Sequence, residues 1–268
     1  MTSPAVAPTV SDQINLVSAA WQVWRGTHAR RPDPSGSGSY DHRGFAPILD
    51  AVAAGGIGGL AGLQTELNGY RRALSSVDPD QLGKDQALAF WINLYNAEAL
   101  ALTLSTEESG LTTVLRSPGA FSKARTSIAG EALSLNQIEH GKIRRFQDPR
   151  IHSALVCGTV SCPTLRFEPF DGSKVDSQVD DQMRVFLANG GAVPDSDRGI
   201  LSLSRVLQWY GADFVRPHAM PGWIPPRKGR LVEAIAPWLD SDVKDWVAST
   251  RPKLGFQRYD WGLGCSVR

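Results

Sequence analysis

The segment KDQALAFWINLYNAEALALTLS, residues 84–105, limits the fold more than any other part of the chain. It keeps helical character throughout and is apolar nearly all round. That is the pattern of a helix enclosed by a core, not one resting on a surface. Such a helix needs partners on every side, and the sequence supplies them. Ile14, Val17, Trp21 and Trp24 recur at helical spacing and predict an amphipathic helix over 12–27. Further helices are expected over 45–52 and 60–74. Val175, Val179, Met183, Phe186 and Leu187 mark another, stopped by Asn189-Gly190-Gly191. Two late helices fall at 231–239 and 243–247. Strand signals are few: a hairpin over 127–133 turning at Gly130, an alternating strand at 200–203, and a last strand within 254–261. Ser134-Leu-Asn-Gln137 matches a capping box and opens a helix carrying Glu139 and His140. The expected class is α+β: a helix-rich single domain over 12–262 with a small antiparallel sheet, an N-terminal tail at 1–11 and a C-terminal tail at 263–268. No internal repeat, coiled coil or domain-splitting linker is visible.

Charge and composition narrow the functional classes. The 28 Lys and Arg against 27 Asp and Glu leave a net charge of +1, so nothing global draws the chain to nucleic acid. No apolar run approaches the roughly 18–20 residues of a membrane helix. The start, MTSPAVAPTVSDQ, is not a secretory signal, and a cytoplasmic location is expected. Three cysteines cannot build a disulfide scaffold, and a reducing compartment would keep them as thiols. The glycine-rich run at 55–62 has no strand before it and no Gly-Lys-Ser/Thr after it, so it does not read as a phosphate loop. The eight tryptophans are expected as core or rim residues.

Chemistry concentrates in RIHSALVCGTVSCPTL, residues 150–165. Pro163 suits the first position of a helix, which places Ser161 or Cys162 at an N-cap. Amides and the dipole at such a start favour a thiolate, and the free amides can bind an oxyanion. A nucleophilic thiol also needs a base. His28, His42 and His218 lie in loop-like or charged surroundings and read as solvated. His140 and His152 flank the cysteines. Glu139 adjoins His140, but neighbouring helix positions do not face each other. A carboxylate, or one of Asn93 and Asn96, is therefore expected to orient His152 across the fold. Asn93 and Asn96 share one face of the apolar helix. They either tie it to a neighbouring backbone or line a polar pocket.

Two other readings compete for these residues. Zinc could take Cys157, Cys162 and His152 or His140, although no second Cys/His pair follows. A redox disulfide between Cys157 and Cys162 is the other, at a spacing longer than the usual Cys-x-x-Cys.

The chain resembles the DUF547 family, a domain of unknown function. The resemblance rests on Phe90-Trp-Ile-Asn-Leu-Tyr-Asn-Ala97, Ser134-Leu-Asn-Gln-Ile-Glu-His140, the run from Ile151-His152 through Cys157-Gly158 to Ser161-Cys162-Pro163, and Leu203 to Tyr210-Gly-Ala-Asp-Phe214. Tyr259-Asp260-Trp261 also fits, and the coverage is roughly residues 15–262. The resemblance implies that Asn96, Glu139, His140, His152, Cys157, Ser161 and Cys162 belong to the family pattern. It assigns none of them a catalytic role. A distant likeness to papain and transglutaminase folds is the accompanying expectation for architecture.

The leading functional expectation is a thiol-dependent hydrolase or transferase acting on an amide, peptide or thioester bond. Cys162 would attack, with Cys157 as fallback. His152 would be the base, with His140 second, Glu139 or Asn96 would orient the imidazole, and amides near Ser161 and Cys162 would hold the oxyanion. The expected partner is a small-molecule or peptide substrate, with no cofactor. The alternatives are a non-enzymatic binding or scaffold module built on a buried polar network, and a zinc protein.

Overall fold

The computed structural model describes residues 24–268. The tail at 1–11 and most of the helix expected over 12–27 lie outside the described residues, while 24–26 are helical. The fold is helix-rich α+β, as expected, but the described residues form two small sheets where one antiparallel sheet was expected.

Helix α1 spans Ala46–Gly55, α2 spans Gln64–Ser75 and α3 spans Lys84–Glu108. The apolar surface of α3 is used on all sides: every residue from Ala87 to Leu100 is buried. Each fully enclosed Leu or Phe there contributes roughly 1.5–3 kcal/mol. Asp85 in the first turn complements the helix dipole. At the other end Gly110 takes φ +70°, and the N–H groups of Leu111 and Gly110 reach the carbonyls of Thr106 and Glu107. That pair of bonds closes the helix on otherwise unpaired carbonyls. By length and composition α3 could cross a membrane, but 94% of its apolar window is buried inside the protein.

The expected hairpin forms. Strands β1 (Thr126–Ile128) and β2 (Glu131–Leu133) pair antiparallel through Ala129 and Gly130, both at positive φ. The capping box also forms: Gln137 Oε1 accepts the Ser134 N–H at 2.9 Å, and Ser134 Oγ accepts the Gln137 N–H at 3.3 Å. The helix it opens, Gln137–Lys142, has a wide π-type turn and tightens into a 3-10 turn over Ile143–Phe146. A short 3-10 helix, Pro149–Ser153, carries His152.

Helix α4 spans Val175–Phe186. Strands β3 (Ala192–Asp195) and β4 (Ile200–Leu203) pair antiparallel, and β5 (Lys253–Phe256) adds to β4 in parallel. The second sheet is therefore mixed, because the chain makes a helical crossover before returning. That crossover holds α5 (Arg205–Trp209), α6 (Gly211–Val215), α7 (Lys228–Ile235) and α8 (Ser241–Thr250).

Two apolar clusters result. One surrounds α3 and includes Ile138, Ile143, Ile151 and Val156. The other lies between β4, α7 and the end of α4, and includes Leu207 and Phe214. The polar residues described below lie along the seam between them.

One histidine departs from expectation. His42 is buried, not solvated: its Nδ1 lies 2.6 Å from the Tyr70 hydroxyl and its ring packs near Tyr40 and Phe90. Its neighbours Asp41 and Arg43 pair with each other at the surface, which lets the ring turn inward. Burial pushes the His42 pKa down to about 4.

Candidate thiol site

The cysteine segment is anchored by α3. Asn96 Nδ2 donates to the Ala154 carbonyl at 2.9 Å, and its Oδ1 accepts the Val156 N–H at 3.1 Å. Asn93 does the same to both polar groups of Phe170, at 2.7 and 3.0 Å. Each amide is thus consumed on backbone, on either side of the cysteines. These asparagines tie the helix to its neighbour, and their hydrogen bonds go to backbone rather than to an imidazole.

Beyond Val156 the chain turns sharply. Gly158 has φ +75°, and a Cβ there would sit 2.0 Å from Thr103 Oγ1 on α3. Only glycine meets both the dihedral and the approach. The turn brings Cys157 and Cys162 to a Cα separation of 6.2 Å, joined as a disulfide. Cys265 is the free cysteine, its thiol pushed up to about 12 by burial.

The expected helix start at Pro163 is not there. Cys162 lies in a turn closed by its own N–H on the Thr159 carbonyl at 3.1 Å. The Ser161 N–H is likewise used, on Asp260 O, while Ser161 Oγ accepts the Asp260 N–H at 2.9 Å. Both amides expected to form an oxyanion hole are therefore occupied. For Ser161 the reason is the C-terminal segment, which straps this loop: the Val160 N–H donates to Gly262 O, the Leu165 N–H to Ser266 O and the Arg268 N–H to Leu165 O, so 263–268 is part of that strap.

Other donors converge on the sulfurs. Cys162 Sγ accepts the Cys157 N–H at 2.9 Å and the Tyr259 O–H at 3.3 Å. Cys157 Sγ lies 3.1 Å from Thr159 Oγ1 and 3.2 Å from Tyr259 Oη. Burial pushes Tyr259 up to about 12, so it stays a hydroxyl donor at neutral pH. Cys162, Ser161 and Tyr259 line a solvent-open cleft, together with Arg205, Arg258 and Ser204. Cys157 is not on that wall. Trp209 and Trp261 pack around Tyr259 at centroid distances of 4.8 and 4.5 Å, and Trp209 stands at the rim, 45% exposed.

Behind the cysteines lies a buried ionisable network. His152 Nε2 is 2.8 Å from Asp213 Oδ2, and Arg144 grips both Asp213 oxygens at 2.8 and 2.9 Å. Burial works to raise the Asp213 carboxyl, but the His152 and Arg144 hydrogen bonds outweigh it and hold it well below the usual range. Burial lowers the His152 pKa against the pull of Asp213. With Asp213 already charge-balanced by Arg144, His152 is neutral, carries its proton on Nε2 and has Nδ1 as its basic nitrogen. Tyr210 stacks on the His152 ring at 3.9 Å.

Glu139 is buried beside this pair. Burial would raise its pKa, but His140, His152, the Tyr210 hydroxyl and Arg144 hold it down. Tyr95 donates to it at 3.2 Å. Burial and the Glu139 charge raise Tyr95 and Tyr210 well above 10. His140 Nδ1 lies 3.2 Å from an Arg144 amino group and 3.7 Å from Glu139, and burial pushes it down to about 4. Glu139 and His140 are both buried within the wide turn over Gln137–Lys142.

The structure thus gathers Glu139, His140 and His152, and separately pairs Cys157 with Cys162. The carboxylate that orients His152 is Asp213, 61 residues away, not Glu139 or Asn96. Asp213, Arg144, Tyr210 and Tyr259 were not singled out from the sequence. Asp213, Tyr210 and Tyr259 do lie within stretches that carried the family resemblance, the one available signal. Among the described residues no three His, Cys, Asp or Glu side chains converge as a metal-ligand set.

The fold and site define a class: a helix-rich α+β domain with a disulfide-bonded cysteine pair, of which Cys162 lines the cleft, and a buried His–Asp–Arg–Glu network. Residues 79–187 match the family model described as "Protein of unknown function, DUF547", the family the sequence resembles, over a shorter stretch than the expected 15–262. The matched segment includes α3, both asparagines, Glu139, His140, His152, Cys157, Ser161 and Cys162; Asp213 and Tyr259 lie beyond it. No curated protein and no solved structure matches the chain.

Proposed function

We propose that the protein is a thiol enzyme, a hydrolase or transferase that acts through Cys162 on an amide, peptide or thioester bond of a small-molecule or peptide substrate. The observation that carries this reading is the convergence of two donors, the Cys157 N–H and the Tyr259 O–H, on a sulfur at the wall of an open cleft. Hydrogen bonds to the charged form of a group favour that form. On reduction of the pair, Cys162 would therefore be the thiolate. It attacks the substrate carbonyl, the amine or thiol leaves with a proton drawn from solvent, and water or an acceptor takes the acyl group, gives up its proton to the base and returns the thiolate.

His152, its Nε2–H fixed on Asp213, is the base for that proton traffic. Tyr259 touches both sulfurs, and the Glu139 charge adds to the burial that raises its pKa. With the Ser161 and Cys162 amides occupied, Tyr259 is also the donor available to a developing oxyanion.

The test is alkylation of the reduced, native protein with iodoacetamide across pH, resolved by peptide mass spectrometry, followed by an amide and thioester screen. An apparent Cys162 pKa well below the usual ~8.5 and turnover lost in Cys162→Ser support the reading. An ordinary pKa, or turnover retained in Cys162→Ser, overturns it. The first of these would favour a binding module, whose polar network serves folding alone.

A further inference from the structure

We infer that Cys157 and Cys162 form a redox couple that undergoes thiol–disulfide exchange with an external thiol, entered through Cys162 from the cleft. The inference shares its sulfur with the proposed thiol chemistry but asks for no hydrolysis, and so it can stand or fall alone.

Three features carry it. The first is asymmetry. Exchange needs one sulfur open to an incoming thiolate and the other poised to leave. Cys162 lines the cleft and Cys157 does not. The second is that each sulfur has its own hydrogen-bond donors once charged. Cys157 has the Thr159 hydroxyl at 3.1 Å and Cys162 has the Cys157 N–H at 2.9 Å, while the single Tyr259 O–H, 3.2 and 3.3 Å from the two sulfurs, can serve whichever of them is charged. A purely structural cross-link between half-buried residues has no need of such groups. The third is that the bond closes a loop of sequence separation 5, already held by other means. Asn96 fixes one end, and the C-terminal strap fixes the other through Val160 and Ser161. Opening the bond therefore leaves both cysteines in place, ready to re-form it.

The steps balance. An external thiolate attacks Cys162 Sγ, forming a mixed disulfide, while the S–S bond breaks and its electron pair leaves on Cys157 Sγ. Cys157 takes a proton from solvent through the adjoining hydroxyls. A second external thiolate attacks the external sulfur of the mixed disulfide and releases Cys162 as a thiolate. Two external thiols become one external disulfide and give up two protons; the protein gains two electrons and one proton, on Cys157, while the other proton goes to solvent and Cys162 stays a thiolate. Run in reverse, the same steps convert an external disulfide to thiols. Coupled to the functional reading, reduction arms Cys162 and oxidation silences it.

The experiment uses the full chain equilibrated with glutathione at a series of reduced-to-oxidised ratios, quenched in acid, alkylated and weighed by peptide. The expected result is that Cys157 and Cys162 change state together at one ratio, in protein whose circular dichroism stays native, while Cys265 stays unmodified. In Cys157→Ser, oxidised glutathione should accumulate as a mixed disulfide on Cys162; in Cys162→Ser, Cys157 should take up at least tenfold less. The inference is overturned if the pair stays oxidised in reduced glutathione until the protein unfolds, or stays reduced in oxidised glutathione. Equal uptake by the two cysteines overturns it as well. If the variants do not fold, the wild-type titration decides. Exchange without amide or thioester turnover refutes the functional reading alone. Turnover after strong chemical reduction, without exchange with glutathione, refutes this inference alone.

Discussion

Replacing Asp213 with Asn should be among the most damaging single-atom changes in the protein. The Asp213 side chain is 0% exposed and that of Arg144 is 2% exposed. Asp213 accepts from Arg144 Nε and an Arg144 amino group at 2.8 and 2.9 Å, from His152 at 2.8 Å and from the Gly222 N–H at 2.6 Å. An amide keeps one acceptor oxygen and turns two N–H bonds toward other donors. It also leaves the guanidinium buried without a counter-charge. Removing one partner of a buried ion pair costs about 3–5 kcal/mol. For a domain near this size that lowers Tm on the order of 10 °C. Urea unfolding at pH 7.5 should show the lower midpoint with an unchanged m-value. The double variant Asp213→Leu with Arg144→Met removes both charges, and its loss should be well below the sum of the two single losses. If Asp213→Asn stays within about 1 kcal/mol of the wild type, the carboxylate does not hold the network and the assignment of His152 as a neutral, Nε2-protonated imidazole fails with it.

Acid should weaken the fold before it reaches the carboxylates. His42 and His140 have folded pKa values of about 4 against an ordinary 6.5, so the unfolded chain binds protons that the native chain refuses. Their stabilising effect is complete above pH 6.5 and is lost as pH falls toward 4, with a limiting slope for two protons of roughly 2.7 kcal/mol per pH unit. Asp213 and Glu139, whose native pKa values are lowered, lose their contribution only below the ordinary carboxylate range. Thermal melts from pH 7.5 to 4.5 check this: His42→Gln should make the slope shallower without abolishing it, since His140 and His152 are lowered too, and a flat profile from pH 7 to 5 would refute it. Gly158→Ala should cost about 2–3 kcal/mol, because it combines φ +75° with a Cβ 2.0 Å from Thr103 Oγ1. Adding Thr103→Ala should recover part of the loss, since it relieves the clash and not the dihedral; wild-type stability in the single variant would contradict the geometry. Asn96→Ala should cost about 2–4 kcal/mol by leaving Ala154 O and Val156 N without partners. Faster amide exchange at Val156 would locate that loss, and unchanged exchange there would count against the anchoring role.

How far the molecule could be read in advance depended on the range of the interactions. The enclosed helix, the hairpin at Gly130 and the Ser134–Gln137 box formed as expected because their causes lie within a few residues of one another. The asparagines were legible as a choice between anchoring and lining a pocket, and the choice needed the positions of Ala154 and Phe170. The site was harder. The Cys162-Pro163 pair looks like a helix start when read alone, yet the amides around it are taken by Asp260 and Thr159, and a partner 99 residues away has no local signature. Asp213 had the same obscurity: nothing within Tyr210-Gly-Ala-Asp-Phe214 says that its carboxylate crosses the seam to His152. His42 was misread because its polar neighbours resemble a surface loop, while Tyr70 and Phe90, which bury it, come from other helices.

The seam itself explains why charged residues are tolerated so deep in the protein. An apolar cluster admits a carboxylate or guanidinium only where partners satisfy it. Here the partners come from both sides: Arg144 and His152 from elements packed on the first cluster, Asp213 and Tyr210 from elements packed on the second. The network can therefore be complete only when the two clusters are docked. Tyr259 follows β5 of the second sheet and reaches the cysteines of the first cluster's loop, so the environment of the sulfurs obeys the same condition. A disturbance of the seam, by acid or by Asp213→Asn, should then reach Cys162 without touching the cysteine loop. Alkylation of the reduced protein reads that directly: the Cys162 rate should shift in Asp213→Asn while Cys265 stays silent. An unchanged Cys162 rate in a folded variant would show that the two halves of the site are independent.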